Sequence, residues 1–134
     1  MRDENFDILL IDDDRTSNIL HRRIIRKIDP NLKLRDCTNG EEAMQILQSA
    51  FDQGLPAPQL IFVDLNMPVC DGWCFADSFG TLAESWRLHS RLYILTTSLN
   101  PEDQERTIAH PLFAGIFDKG CSTESIRSLF EDSH

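Results

Sequence analysis

The chain has 134 residues, 41% of them hydrophobic, which suits one compact domain with a sizeable core and argues against global disorder. Its 13 Lys and Arg against 22 Asp and Glu give a formal net charge of -9, the wrong sign for a nucleic-acid surface or an anionic membrane face. No apolar run approaches the roughly 20 residues of a membrane span, and the charged start Met1-Arg2-Asp3-Glu4 is unlike a signal peptide, so a cytoplasmic protein is expected.

Phe6 to Ile11 reads as a buried strand that stops at Asp12-Asp13-Asp14. Asp14 can cap a helix over 15–28, in which Ile19, Ile24, Ile25 and Ile28 fall near helical spacing. Asp29-Pro30-Asn31 breaks it, and 32–37 alternates as a second strand. Asn39-Gly40 turns into a helix whose apolar face carries Ala43, Met44, Ile46 and Leu47. A loop over 52–58 leads to Leu60-Ile61-Phe62-Val63, the most continuously apolar strand, which ends at Asp64. A turn at Pro68 precedes a helix over about 72–85. Leu92 to Leu95 is a fourth strand ending at Thr96, and Pro101 opens a helix over 102–109. A brief strand at 115–117 runs into Lys119, and a last helix covers 122–131. Five apolar strands alternating with five helices predict a doubly wound parallel α/β sheet in a single domain over 1–134, with no output domain.

The polar residues collect at strand ends. Asp12 and Asp13 end the first strand, Asp64 the third, Thr96 the fourth and Lys119 the fifth. In an open parallel sheet those ends share one edge, where ligands bind at the reversal of strand order. Three carboxylates held together repel one another, and a hard cation such as Mg²⁺ relieves that repulsion while keeping room for water and a phosphate oxygen. One carboxylate can then attack phosphorus and form an acyl phosphate, with an ammonium and a hydroxyl meeting the charge on the transferring group.

Ile8-Leu9-Leu10-Ile11-Asp12-Asp13-Asp14, Val63-Asp64-Leu65-Asn66-Met67-Pro68-Val69-Cys70-Asp71-Gly72-Trp73, Thr96-Thr97-Ser98 and Asp118-Lys119 together resemble the receiver domains of bacterial two-component systems. The resemblance covers essentially the whole chain in order, and Asp64-Leu65-Asn66-Met67-Pro68 followed by Asp71-Gly72 is its most specific piece. It implies a flavodoxin-like (βα)5 fold with strand order 2-1-3-4-5. It also implies that Asp64 is the phosphoacceptor, that Asp13 binds Mg²⁺ directly, and that Asp12 holds metal-bound water. The backbone carbonyl of Asn66 would be the third protein ligand, Thr96 the switch hydroxyl, and Lys119 the cation paired with the phosphate. Asn66 and Ser98 stand where the family tunes phosphate lifetime. The implied donor is a histidine kinase or histidine phosphotransfer protein, and the implied output is protein contact. That output is expected on the face made by the helix at 102–109, Ile116 and the helix at 122–129. The chain would then be a stand-alone response regulator whose only catalysis is of its own phosphorylation and dephosphorylation.

The chain departs from the family pattern at Gly120, where proline is usual, and at Ile116, where an aromatic is usual, although Phe117 adjoins it. The long span from Thr96 to Lys119 leaves Thr97 as a competitor for the switch position; Thr96 is preferred because Glu102-Asp103 then begin the next helix. Cys37, Cys70, Cys74 and Cys121 have no zinc-type spacing and are expected to be reduced thiols. His21, His89, His110 and His134 share no pattern and are given no role. Two other readings compete. Asp12-x-Asp14-x-Thr16 fits the first motif of haloacid-dehalogenase-like phosphatases, but the only acidic residues after Lys119 are Glu124, Glu131 and Asp132, all far from any strand end. A receiver-like module that binds partners without phosphorylation keeps the fold and drops the chemistry.

Overall fold

The computed structural model describes residues 5–97 and 100–131, with only the backbone described for Cys121, Ser122 and Glu131. Five strands, β1 (Ile8–Ile11), β2 (Leu34–Cys37), β3 (Leu60–Asp64), β4 (Arg91–Thr96) and β5 (Phe113–Asp118), form one sheet in the order β2-β1-β3-β4-β5. All four pairings are parallel, so every crossover carries at least one helix. The helices are α1 (Arg15–Ile28), α2 (Gly40–Asp52), α3 (Gly72–Phe79), α4 (Glu84–Arg87), α5 (Pro101–Ala109) and α6 (Ser122–Glu131).

Among the described residues there are six helices against the five expected, because the single helix read over 72–85 is broken. Thr81 donates its hydroxyl to the Ser78 carbonyl, and the amides of Thr81 and Leu82 turn back to Ser78 and Phe79. Gly80, a weak helix former, lies at the break. The short α4 that follows is tied down by Trp86, whose indole N–H donates to the Leu55 carbonyl at 2.8 Å. β5 is longer than expected, and its pairing slips between Leu92 and Tyr93, leaving Ala114 as an extra residue in the ladder.

Strand alternation divides the core in two. Leu9, Ile11, Ile61, Val63, Leu92 and Ile94 pack with Ala43, Ile46 and Leu47 of α2 and with Phe75, Ala76 and Phe79 of α3. Ile8, Leu10, Leu60, Phe62, Tyr93 and Leu95 pack on the other face with Ile25 of α1 and with Ile126 and Leu129 of α6. Phe62, Phe75, Leu9 and Ile61 are essentially fully buried, each contributing on the order of 1.5–3 kcal/mol of hydrophobic stabilisation. Among the described residues, no helix is long and apolar enough to cross a membrane.

Candidate functional site

The register sets the site. Ile11 is level with Val63 and Cys37, Asp64 with Leu95, and Thr96 with Asp118, so Asp12, Asp64, Thr96 and Lys119 reach the same carboxyl edge. Carboxylate oxygens of Asp12, Asp13 and Asp64 all lie within 4.8 Å of one another, with Asp12 and Asp64 buried and Asp13 exposed. Lys119, in the single 3-10 turn after β5, places Nζ 2.5 Å from Asp12 Oδ2 and 3.4 Å from Asp64 Oδ2. Asp12 Oδ1 accepts from the Asp14 amide, and Asp64 Oδ1 from the Asn66 amide.

Burial pushes the Asp64 carboxyl up to about 6, and the Asp12 charge adds to this. The Lys119 charge and the Asn66 amide pull the other way without cancelling it. Burial also opposes the charge on Lys119, but its hydrogen bond to Asp12 and the charges of both carboxylates outweigh that, so its value is raised. This donor set fits a hard divalent cation: all oxygen, partly buried, with one ligand open to solvent and a surplus of negative charge that one lysine does not neutralise.

The loop from Asp64 to α3 is folded back on the acceptor. The Gly72 amide donates to the Leu65 carbonyl at 3.1 Å, and a Cβ on Gly72 would stand 3.1 Å from both the Asp64 carbonyl oxygen and Leu65 Cα. Val69 has φ +70, and the Cys70 amide bonds to the Pro68 carbonyl across it, which makes a γ-turn of the strained kind. Asp71 caps α3 by accepting from the Cys74 amide. Thr96 is wholly buried at the end of β4, whereas Thr97 is exposed. Ser98 lies outside the described residues.

Residues 8–131 match the family described as response regulator receiver domain. The chain belongs to that family. This receiver is similar to a two-component response regulator from Cytophaga hutchinsonii, with 28% identity over 96% of this chain and 97% of that one, and a TM-score of 0.85. It also shares its fold with a response regulator receiver protein from Dyadobacter fermentans (22% identity, 94% and 95% covered, TM-score 0.81). A third neighbour is the receiver domain of the histidine kinase CKI1 from Arabidopsis thaliana, solved with Mg²⁺ (19% identity, 96% and 92% covered, TM-score 0.77). No curated protein sequence matches the chain.

Two departures from the receiver pattern acquire a physical account. Ile116 packs with the α2/α3 core, but Phe117 faces the opposite side and stacks on Tyr93 with ring centroids 5.4 Å apart. Neighbours in a strand point to opposite faces, so Phe117 does not stand in for the missing aromatic at Ile116. The Gly120 amide donates to Asp118 Oδ1 at 2.7 Å, a bond that proline could not make.

The expectation of reduced thiols fails at two positions: Cys70 and Cys74 form a disulfide. The spacing that excludes a zinc site still brings the loop residue before the cap within reach of the first turn of α3. Cys37 is a free, buried cysteine whose thiol burial pushes up to about 12, with the Glu42 charge adding to the effect. The side chain of Cys121, and the whole of His134, lie outside the description.

Sequence reasoning also missed two buried residues of α1. Asn18 donates from Nδ2 to the carbonyls of Asp12 and Cys37, at 3.1 and 3.2 Å, and so ties the ends of β1 and β2 together beneath the carboxylates. A polar residue one turn past the cap Asp14, on a helix face otherwise turned inward, was the available signal. His21 is 2% exposed, and burial lowers its imidazole below the ordinary value, with the Lys119 charge adding and Asp12 opposing.

Proposed function

We propose that this receiver accepts a phosphoryl group on Asp64 and signals by protein contact. The observation that carries the reading is the convergence of Asp12, Asp13 and Asp64 within 4.8 Å, with Lys119 against two of them, at the carboxyl edge of the sheet. The donor is a phosphohistidine on a histidine kinase or phosphotransfer protein. An Asp64 carboxylate oxygen attacks phosphorus, the O–P bond forms as the P–N bond breaks, and the departing imidazole takes up a proton. Asp13 and Asp64, with the Asn66 carbonyl, would hold Mg²⁺, and Asp12 would orient its water. Mg²⁺ supplies positive charge to the phosphoryl oxygens when bound. Lys119 exchanges its contact with Asp12 for a phosphoryl oxygen, and the Thr96 hydroxyl donates to another.

In this reading the receiver works in the cytoplasm and catalyses only the gain and loss of its own phosphoryl group. Movement of Thr96 passes to the α5, β5 and α6 face, and that face meets the downstream partner.

The test is intact mass after incubation with acetyl phosphate and Mg²⁺. The expected result is a single phosphoryl adduct that requires Mg²⁺ and disappears in Asp64→Asn. No adduct on the folded protein would favour a phosphorylation-independent module. An adduct that survives in Asp64→Asn and is lost in Asp12→Asn would favour the phosphatase reading.

A further inference from the structure

The Cys70–Cys74 pair is not used by the chemistry above, yet it lies in the segment that follows the acceptor directly. Cys70 immediately precedes the cap of α3 and Cys74 is in its first turn; their Cα atoms are 5.2 Å apart, inside the range a disulfide spans. Between Asp64 and Cys70 lie Asn66 and the strained turn at Val69, which is 89% exposed and has no packing of its own to hold it. Cys70 is buried, and its Sγ stands 3.0 Å from where a Cβ on Gly40 would sit, so that end of the bridge is lodged against the start of α2. Cys74 is an exposed residue, so its end of the bridge is the one turned toward an external thiol. The bridge therefore has one anchored and one reachable end, and it ties the loop to a helix whose own start is bonded back to Leu65.

We propose that Cys70 and Cys74 form a reversible redox clasp on the acceptor loop: bridged, they hold the loop in the shape that binds the metal, and as two thiols they release it and weaken both metal binding and phosphorylation. The inference deepens the phosphoacceptor reading of Asp64 and rests on it. The reductant is a dithiol, small or protein-borne. Its thiolate attacks Cys74 Sγ, the S–S bond breaks, and the Cys70 thiolate that leaves takes up a proton. The second thiol of the reductant then attacks the mixed disulfide and frees Cys74. Two electrons pass to the receiver, its two sulfurs each end with a proton, and the reductant ends as a disulfide. Reoxidation by a low-molecular-weight disulfide runs the same exchange in reverse. Exposed disulfides of this kind are the labile ones, whereas the buried Cys37 takes no part.

The test uses the whole chain, equilibrated with oxidised glutathione or with dithiothreitol, then denatured and alkylated. Peptide mapping is expected to find Cys70 and Cys74 blocked only in the reduced sample. Mg²⁺ titrated calorimetrically should bind on the order of tenfold more weakly to the reduced protein, as expected when groups that orient a ligand are freed. Backbone amides over 66–71 should exchange faster. Cys74→Ser, altered at an exposed position, should match the reduced wild type in both buffers. Equal alkylation in the two buffers, equal Mg²⁺ affinity and exchange, or a redox effect that persists in Cys74→Ser would each overturn the clasp. Absence of Mg²⁺ binding in both states would overturn it too. A missing phosphoryl adduct in both states would instead strike the phosphoacceptor reading, since Mg²⁺ affinity and amide exchange still decide the clasp.

Discussion

Lys119 Nζ lies 2.5 Å from Asp12 Oδ2, a contact between residues 107 apart in sequence that closes the acidic pocket across the sheet. Without a cation, this lysine is the positive charge that makes two buried carboxylates tolerable side by side. Lys119→Met should therefore destabilise the metal-free protein by about 2–3 kcal/mol at neutral pH, because it leaves buried charge unpaired. Millimolar Mg²⁺ should return part of that loss. Denaturant unfolding with and without Mg²⁺ measures both, and a loss that Mg²⁺ leaves unchanged would separate the lysine from the metal pocket.

Asp64 carries a cost that should be readable against pH. Its folded-state value is raised to about 6, so the folded protein favours the protonated carboxyl. The contribution of this group to stability is full below the ordinary carboxylate range and is lost as pH rises through about 6. Metal-free Asp64→Asn should consequently be more stable than wild type by about 1–2 kcal/mol at pH 7.5, with the gap closing as pH falls toward 4. Bound Mg²⁺ favours the ionised carboxylate, so phosphorylation of the wild type should fall only at a lower pH than this interval, because the protonated carboxyl is no nucleophile. Urea unfolding at several pH values tests the first, and adduct formation by mass the second.

Gly72 is the point where α3 comes closest to the acceptor. A Cβ there would stand 3.1 Å from the Asp64 carbonyl oxygen and from Leu65 Cα, both backbone atoms that cannot swing aside. Gly72→Ala should cost about 1–3 kcal/mol and, because the displaced carbonyl belongs to Asp64, slow phosphorylation by about tenfold. A variant that loses stability but phosphorylates at the wild-type rate would mean that the strain relaxes into α3 and not into the acceptor.

The strand pattern, the order of elements and the convergence of Asp12, Asp64, Thr96 and Lys119 on one edge were legible in the sequence because each depends on local apolar runs and their ends. The response regulator receiver domain match over 8–131 and the observed strand order bear out the family and the fold. What was not legible depends on turns and polar contacts that apolar runs do not encode. The break after Phe79 comes from turns local to Ser78–Leu82 together with a tether from Trp86 to Leu55, thirty-one residues away. Asn18 looks like an ordinary helix residue until β2 is placed beside β1, when its amide finds the Cys37 carbonyl. The Cys70–Cys74 bridge directly follows a positive-φ turn at Val69, a conformation that a β-branched residue gives no reason to expect.

The hydrogen bond from the Gly120 amide to Asp118 Oδ1 turns a departure from the family pattern into a measurable one. Restoring the usual proline with Gly120→Pro removes the donor and leaves the carboxylate to water, at an expected cost of about 0.5–1.5 kcal/mol. Gly120→Ala keeps the donor. Its Cβ would meet only the movable Asp118 side chain, at 3.2 Å, so its effect should be smaller. In an Asp118→Ala background the acceptor is already gone, and Gly120→Pro should then cost distinctly less than in wild type. A double-mutant cycle from denaturant unfolding gives the coupling. A coupling near zero would mean that the bond does not hold in solution, and that glycine stands at this position for a reason other than its amide.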